Sequence, residues 1–404
     1  MAIRWAPEAC HRRKDRNSGA WIIQLTGAAA ISNNIYCEQP YCSPDGHRVI
    51  IARCQDFSWD THGSLLVHDL RTLHTAMVVP RAMGVRNVFT SAWGGLMYFW
   101  TPDRKLMRLS LMTLEVDEVY EEKDPDAILG GGGGACSASP DQRYVIFQGR
   151  RMTGENSPTF QIVRIDLQTS TREVIYEDPE ISNAHLQYNP VDGQQILVQN
   201  NCGTRMAKDG SFIHDKSAYN CKLFTLDMNG DNKQFLPVGK PVTAVCTGHE
   251  CFVGDTGKVM WSVQWGRQDD QFKHDERFPQ GNIMTAKPGD EQPVVFNAPE
   301  HFFTHVCASK CGKYFVADSQ IDGRVLGEDG AVKPVGLVIG NFETGKYRTL
   351  VENSMASGGG NQSTHSHPYL TADNRHVIFN ADPYHSIPQV YAAEIPEGFL
   401  ASLD

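Results

Sequence analysis

The chain has 404 residues, of which 41% are apolar and 21% charged, and its net charge is −10. That balance supplies a sizeable core, excludes wholesale disorder, and lacks the basic excess that a nucleic-acid partner requires. No stretch approaches the roughly 20 uncharged apolar residues of a membrane helix. No apolar run follows the basic residues near the N-terminus, so no secretory signal or membrane span is expected, and the expected compartment is the cytoplasm.

Residues 1–18 read as an extended arm, followed by one apolar strand in Gly19-Ala-Trp-Ile-Ile-Gln-Leu-Thr26. Ser43-Pro-Asp-Gly-His-Arg-Val-Ile-Ile then opens a repeat in which a small polar turn leads into an apolar strand. It returns as Trp93-Gly-Gly-Leu-Met-Tyr-Phe, Ser139-Pro-Asp-Gln-Arg-Tyr-Val-Ile-Phe and Asn189-Pro-Val-Asp-Gly-Gln-Gln-Ile-Leu-Val. Gly254-Asp-Thr-Gly-Lys-Val-Met-Trp, Ser309-Lys-Cys-Gly-Lys-Tyr-Phe-Val and Thr371-Ala-Asp-Asn-Arg-His-Val-Ile-Phe complete the set. A second strand–turn–strand pattern interleaves with it, clearest at Leu65, Leu109, Val163, Leu223 and Val338. One turn of each kind per unit gives two hairpins and four strands, which is a propeller blade.

The fold class expected is therefore all-β, a seven-bladed β-propeller forming one domain over residues 1–404. Too few residues follow the last copy to supply its fourth strand. The segment 19–26 is expected to complete the C-terminal blade and so close the ring without an open edge. Gly130–Gly134 and residues 265–282 read as loops or linkers.

Eleven cysteines include no CxxC pair, which favours reduced, buried thiols over a disulfide framework. Cys307 and Cys311 lie near an expected turn, with no second pair to complete a zinc–thiolate site.

The repeat also sets a register for chemistry. The innermost strand of each blade lines the channel and precedes the polar turn. His305 lies seven residues before Gly312 in the sixth copy, and His367 seven before Asn374 in the seventh. Adjacent blades thus present histidine at one level. His365 and His367 are two apart, so an extended strand would turn both to one side. Gln362, in Gly358-Gly-Gly-Asn-Gln-Ser-Thr-His-Ser-His, can bring an amide oxygen to the same centre. Three imidazoles and an amide suit Mn, Zn, Fe, Co or Ni. By the same register His185, His249 and Glu250 reach this mouth, and Lys222 and Arg205 lie in or beside strands leading to it.

These features resemble the oligogalacturonate lyase family, the pectate lyase family 22-type propellers. The likeness runs through Gln24-Leu-Thr26, the blade repeats, His185 with Tyr188-Asn-Pro, His249-Glu250, His305, and Gln362-x-x-His365-x-His367. It implies that His305, Gln362, His365 and His367 hold Mn²⁺ and that His249 takes part in catalysis. The chain departs from the family in three places. Asn33-Asn34 stands where the family has a histidine pair, Asn201-Cys-Gly-Thr replaces His-Glu-Gly-Pro, and Lys222 occupies the position of a catalytic arginine.

The expected activity is metal-dependent β-elimination on an oligogalacturonide-like or related acidic sugar. His249 would be the base and Lys222 or Arg205 the charge stabiliser, while His185, Tyr188 and Asn201 would bind the small acidic oligosaccharide. The alternatives are another metal-dependent sugar-modifying enzyme, a hydrolase or isomerase, and a non-catalytic binding propeller. The sequence leaves monomer and homodimer open.

Overall fold

The computed structural model describes residues 3–9, 11–54, 62–124, 136–151, 159–207, 211–215, 217–264, 280–321, 334–358 and 361–404. Gly130–Gly134 and most of the expected loop at 265–282 lie outside them.

Each copy of the polar turn joins the first and second strands of a four-stranded antiparallel sheet, and seven such sheets follow one another along the chain. Blade one comprises Ser32–Asn33, Arg48–Cys54, His62–Asp69 and His74–Val79. Blade two is Arg86–Thr90, Leu96–Trp100, Lys105–Ser110 and Val116–Glu121; blade three is Cys136–Ala138, Tyr144–Arg151, Thr159–Asp166 and Thr171–Asp178. Blade four is Gln187–Tyr188, Gln195–Cys202, Asn220–Asp227 and Gln234–Phe235, with an added hairpin of Thr204–Met206 and Phe212–His214. Blade five is Cys246–Phe252, Val259–Val263, Ile283–Ala286 and Val294–Val295, and blade six is His301–Ala308, Tyr314–Ile321, Val335–Asn341 and Tyr347–Val351.

Blade seven takes Tyr369–Leu370, His376–Ala381 and Gln389–Glu394 from the C-terminal end and Trp21–Gln24 from the N-terminal end. Ile22 pairs with Ala393 and Ile23 with Ala392, so the expected ring closure is present. The segment before it is docked on the ring. Arg12–Lys14 pairs with Trp21–Ile23 at the edge of blade seven, and Trp5–Ala6 pairs with the outer strand of blade one. The Ser18 hydroxyl donates to the Leu350 carbonyl of blade six. The N-terminal segment therefore straps the junction.

The turn sequence repeats because its hydrogen bonds repeat. Ser43, Ser139 and Thr371 each donate a hydroxyl to the aspartate two residues on, and each accepts the backbone N–H five residues on. A short hydroxyl and a carboxylate thus satisfy the turn without help from a neighbour. The apolar strands then alternate into clusters between adjacent sheets. Phe89, Trp100 and Phe147 bridge blades two and three, and Trp261 packs with Leu197 and Leu223 between blades four and five. Full burial of such side chains contributes about 1.5–3 kcal/mol each. First strands of neighbouring blades meet one another, which puts them at the axis.

Candidate metal centre

The three histidines that share a register reach the axis through irregular backbone. His305 lies on the inner strand of blade six, within a bulge where pairing shifts between Phe303 and Val306. His365 follows the 3₁₀ turn Gln362–Thr364, and His367 takes a left-handed φ of 40° just before the short strand Tyr369–Leu370. The sequence expectation of two histidines on one face of a regular strand is corrected here. They converge because the backbone turns at His367.

Ring nitrogens of His305, His365 and His367 lie within 4.8 Å of one another. Their ring centroids are 4.4, 5.2 and 5.7 Å apart for the pairs 305–367, 305–365 and 365–367. The Nδ1 of His305 is 2.6 Å from Asp318 Oδ2, and the same carboxylate accepts the His305 N–H and the Ser366 hydroxyl. Burial opposes ionisation of Asp318, but the adjoining His305 and these hydrogen bonds hold its pKa down to about 2. A carboxylate on one ring nitrogen fixes the tautomer and leaves the other as a ligand, a common arrangement around metal-binding histidine. The donor set fits a divalent first-row ion. Gln362 opens the 3₁₀ turn with an exposed side chain, and its backbone carbonyl accepts the His365 N–H.

His249 stands beside this centre, its ring 4.2 Å from that of His305. It too lies in a bulge, where pairing shifts between Cys246 and Glu250 and Gly248 has φ of 93°. Its Nδ1 is 3.0 Å from the Tyr36 hydroxyl and 3.5 Å from Glu38. Burial and then the neighbouring His305 push its pKa down to about 4, against the pull of Glu38, so the ring is neutral near pH 7.

Beyond His249, His185 (φ 44°) directs Nδ1 onto both oxygens of Glu38, at 2.9 and 3.0 Å. Burial would raise the pKa of Glu38, but His185 beside it brings the carboxyl below its ordinary value. Glu250, also buried, is pushed well above its ordinary value by burial, Cys246 and Glu38.

Other sequence candidates sit elsewhere. Tyr188 is a core residue, packed with Ile146, Phe160, Leu186 and Ile196 between blades three and four, because its short strand turns it away from the channel. Asn201 accepts the Asn183 N–H and donates its own N–H to the Glu180 carbonyl, fastening the segment that leads to His185. Lys222 is half-buried on the third strand of blade four, opposite Asn200. Arg205 is exposed on the added hairpin. Contacts among the described residues join neither cation to the histidines. Cys307 is buried and Cys311 exposed, and neither belongs to a metal-holding group among the described residues.

Tyr36, Glu38 and Asp318 were not among the sequence candidates. Their signal is a polar side chain inside a run of buried residues: all of 31–43 is buried, and Asp318 interrupts the apolar Tyr314-Phe-Val-Ala. The Asn33-Asn34 pair has its own work. Asn34 donates its side-chain amide to the His367 carbonyl and its backbone N–H to the Asn380 Oδ1.

No protein-family model matches the chain. It is 22% identical to the oligogalacturonide lyase of Pectobacterium atrosepticum over 415 residues, 97% of each chain. It is likewise 22% identical to the oligogalacturonate lyase of Dickeya dadantii over 412 residues, 96% of each. The chain is similar to oligogalacturonate lyases along nearly its whole length. An oligogalacturonate lyase solved in complex with manganese superposes with a TM-score of 0.71 at 20% identity, over 99% of this chain and all of that one. The oligogalacturonate lyase of Vibrio parahaemolyticus gives 0.68 at 16%, with the same coverage. The propeller thus shares its overall fold with both structures, and no helix among its described residues is long and apolar enough to cross a membrane.

Proposed function

We propose that the chain is a metal-dependent lyase that cleaves a small acidic oligosaccharide, an oligogalacturonide or a related oxidised sugar, by β-elimination. The observation that carries this reading is the adjacency of His249 to His305, a neutral imidazole beside a three-imidazole centre.

His305, His365 and His367, with Gln362 as a further ligand, would hold a divalent ion, Mn²⁺ the first choice, which would serve as a Lewis acid offsetting the substrate carboxylate. The chain's own residues do the rest. Tyr36 and Glu38 engage Nδ1 of His249, which leaves Nε2 as the base. That nitrogen takes the proton α to the carboxylate; the electron pair forms the new double bond as the glycosidic oxygen leaves the neighbouring carbon. Lys222 is the first candidate for steadying the substrate's charge, since its strand pairs with the one that carries Asn201. Arg205 is the second. A lysine offers a point charge where a guanidinium would offer a bidentate fork, which favours looser recognition of the carboxylate.

The test is His365→Ala, with metal content and formation of the unsaturated product from oligogalacturonide both measured. Both are expected to fall together. Full activity in a variant that no longer binds metal would end this reading.

A further inference from the structure

A second group of ligand-type side chains lies at the axis, outside the three-histidine centre. Glu38 of blade one, His185 of blade four and Glu250 of blade five are all buried, and one ligand atom from each lies within 4.8 Å of the other two. His185 Nδ1 is 2.9 Å from Glu38 Oε1 and 3.8 Å from Glu250 Oε1. These separations bracket the roughly 3–3.6 Å between neighbouring ligands of a coordination shell with bonds of about 2.0–2.2 Å.

The two carboxylates sit together among His185 and His249, and burial pushes the Glu250 carboxyl well above its ordinary value, so the pair ionises together only with a compensating cation. Hydrogen bonding satisfies Glu38 through His185 but leaves Glu250 short. Glu38 accepts the Gln187 amide at 3.2 Å, and Glu250 Oε2 takes only the Cys246 thiol at 3.4 Å. Glu250 Oε1, on a residue with no exposed surface, receives no hydrogen bond among the described residues and is aimed at His185.

We propose that Glu38, His185 and Glu250 form a second divalent-cation site, separate from the three-histidine centre. With two oxygens and one nitrogen it is the harder donor set of the two, suited to Mn²⁺ or Fe²⁺ more than to a thiophilic ion. His249 stands between the sites, its ring 4.2 Å from His305 and 6.3 Å from His185. The alternative is a proton shared by the two carboxylates, and metal stoichiometry separates the two.

The full chain is stripped with chelator, equilibrated with Mn²⁺ and analysed for bound metal. The expected result is two ions in the parent chain, one in Glu38→Gln, one in Glu250→Gln, one in His365→Ala, and none in Glu38→Gln combined with His365→Ala. One ion in the parent chain, unchanged in both glutamine variants and lost in His365→Ala, overturns the second site and leaves the proposed lyase centre standing. One ion lost in both glutamine variants but kept in His365→Ala upholds the second site and removes the first. Circular dichroism verifies that each variant is folded. Anomalous scattering at the manganese edge from parent crystals gives a reading that needs no variant: two peaks support the site, and a single peak at the histidines overturns it.

Discussion

Asp318 holds the Nδ1 edge of His305 at 2.6 Å while also accepting the His305 backbone N–H, so one carboxylate fixes both the ring and the strand that carries it. Asp318→Asn keeps the shape but removes the charge. It is expected to weaken Mn²⁺ binding by about 10- to 100-fold with little loss of fold. Metal titration of the folded variant checks this, and an unchanged affinity would mean that Asp318 does not tune the centre.

Tyr36 directs its hydroxyl to the same nitrogen of His249 that faces Glu38. Tyr36→Phe is expected to lower kcat for the unsaturated product by roughly tenfold, less than the about 10²- to 10⁴-fold of a proton-transfer group itself, because Tyr36 positions the base. Metal content should stay unchanged, because Tyr36 belongs to neither ligand group. Loss of metal in this variant would show that the residue acts through the fold instead.

Lys222→Arg restores a forked cation at a half-buried position on the third strand of blade four. If Lys222 meets the substrate carboxylate, the change is expected to lower KM for oligogalacturonide severalfold. Kinetics indistinguishable from the parent would place Lys222 away from the sugar.

Acid stability has a marker far from the site. His68 is fully buried in the third strand of blade one, and burial pushes its pKa down from 6.5 to about 4. The unfolded chain takes up this proton near pH 6.5 and the folded chain only near pH 4, so stability falls as pH drops through that interval. The loss from this one group is about 3 kcal/mol and levels off below pH 4. Denaturant melts of the parent and of His68→Gln across this range should show a shallower decline in the variant; identical slopes would refute the assignment.

Ring closure is open to a packing test. Ile22 is buried in the sheet shared by the two ends of the chain. Ile22→Ala is expected to cost about 2–5 kcal/mol, measured as a shift in the denaturation midpoint. A change within error would mean that the closing strand contributes little to holding the ring.

The architecture was legible because it repeats. Turn chemistry at Ser43, Ser139 and Thr371 is local, so seven copies announced seven blades, and the strand left over at Trp21–Gln24 found its place by elimination. The level of His305 and His367 followed from the same register. What the sequence hid is how those side chains meet. The bulges at Thr304-His305 and Thr247-Gly-His249 and the left-handed φ values of His185 and His367 leave no periodic mark. Bulges re-aim side chains where a regular strand would keep them apart. Tyr188 was misplaced for the converse reason, since a residue on a two-residue inner strand can face the core as readily as the mouth. Glu38 and Asp318 were missed because a buried carboxylate is recognised only by its partners, which come from other blades.

The strand at Trp21–Gln24 finds its partner at Gln389–Glu394. During synthesis residues 21–24 must wait until residues 389–394 have been made, so the circle cannot lock before then. Until then, blades one and seven each present an unsatisfied rim, and any premature stop upstream of residue 389 would leave that rim permanently available to other chains.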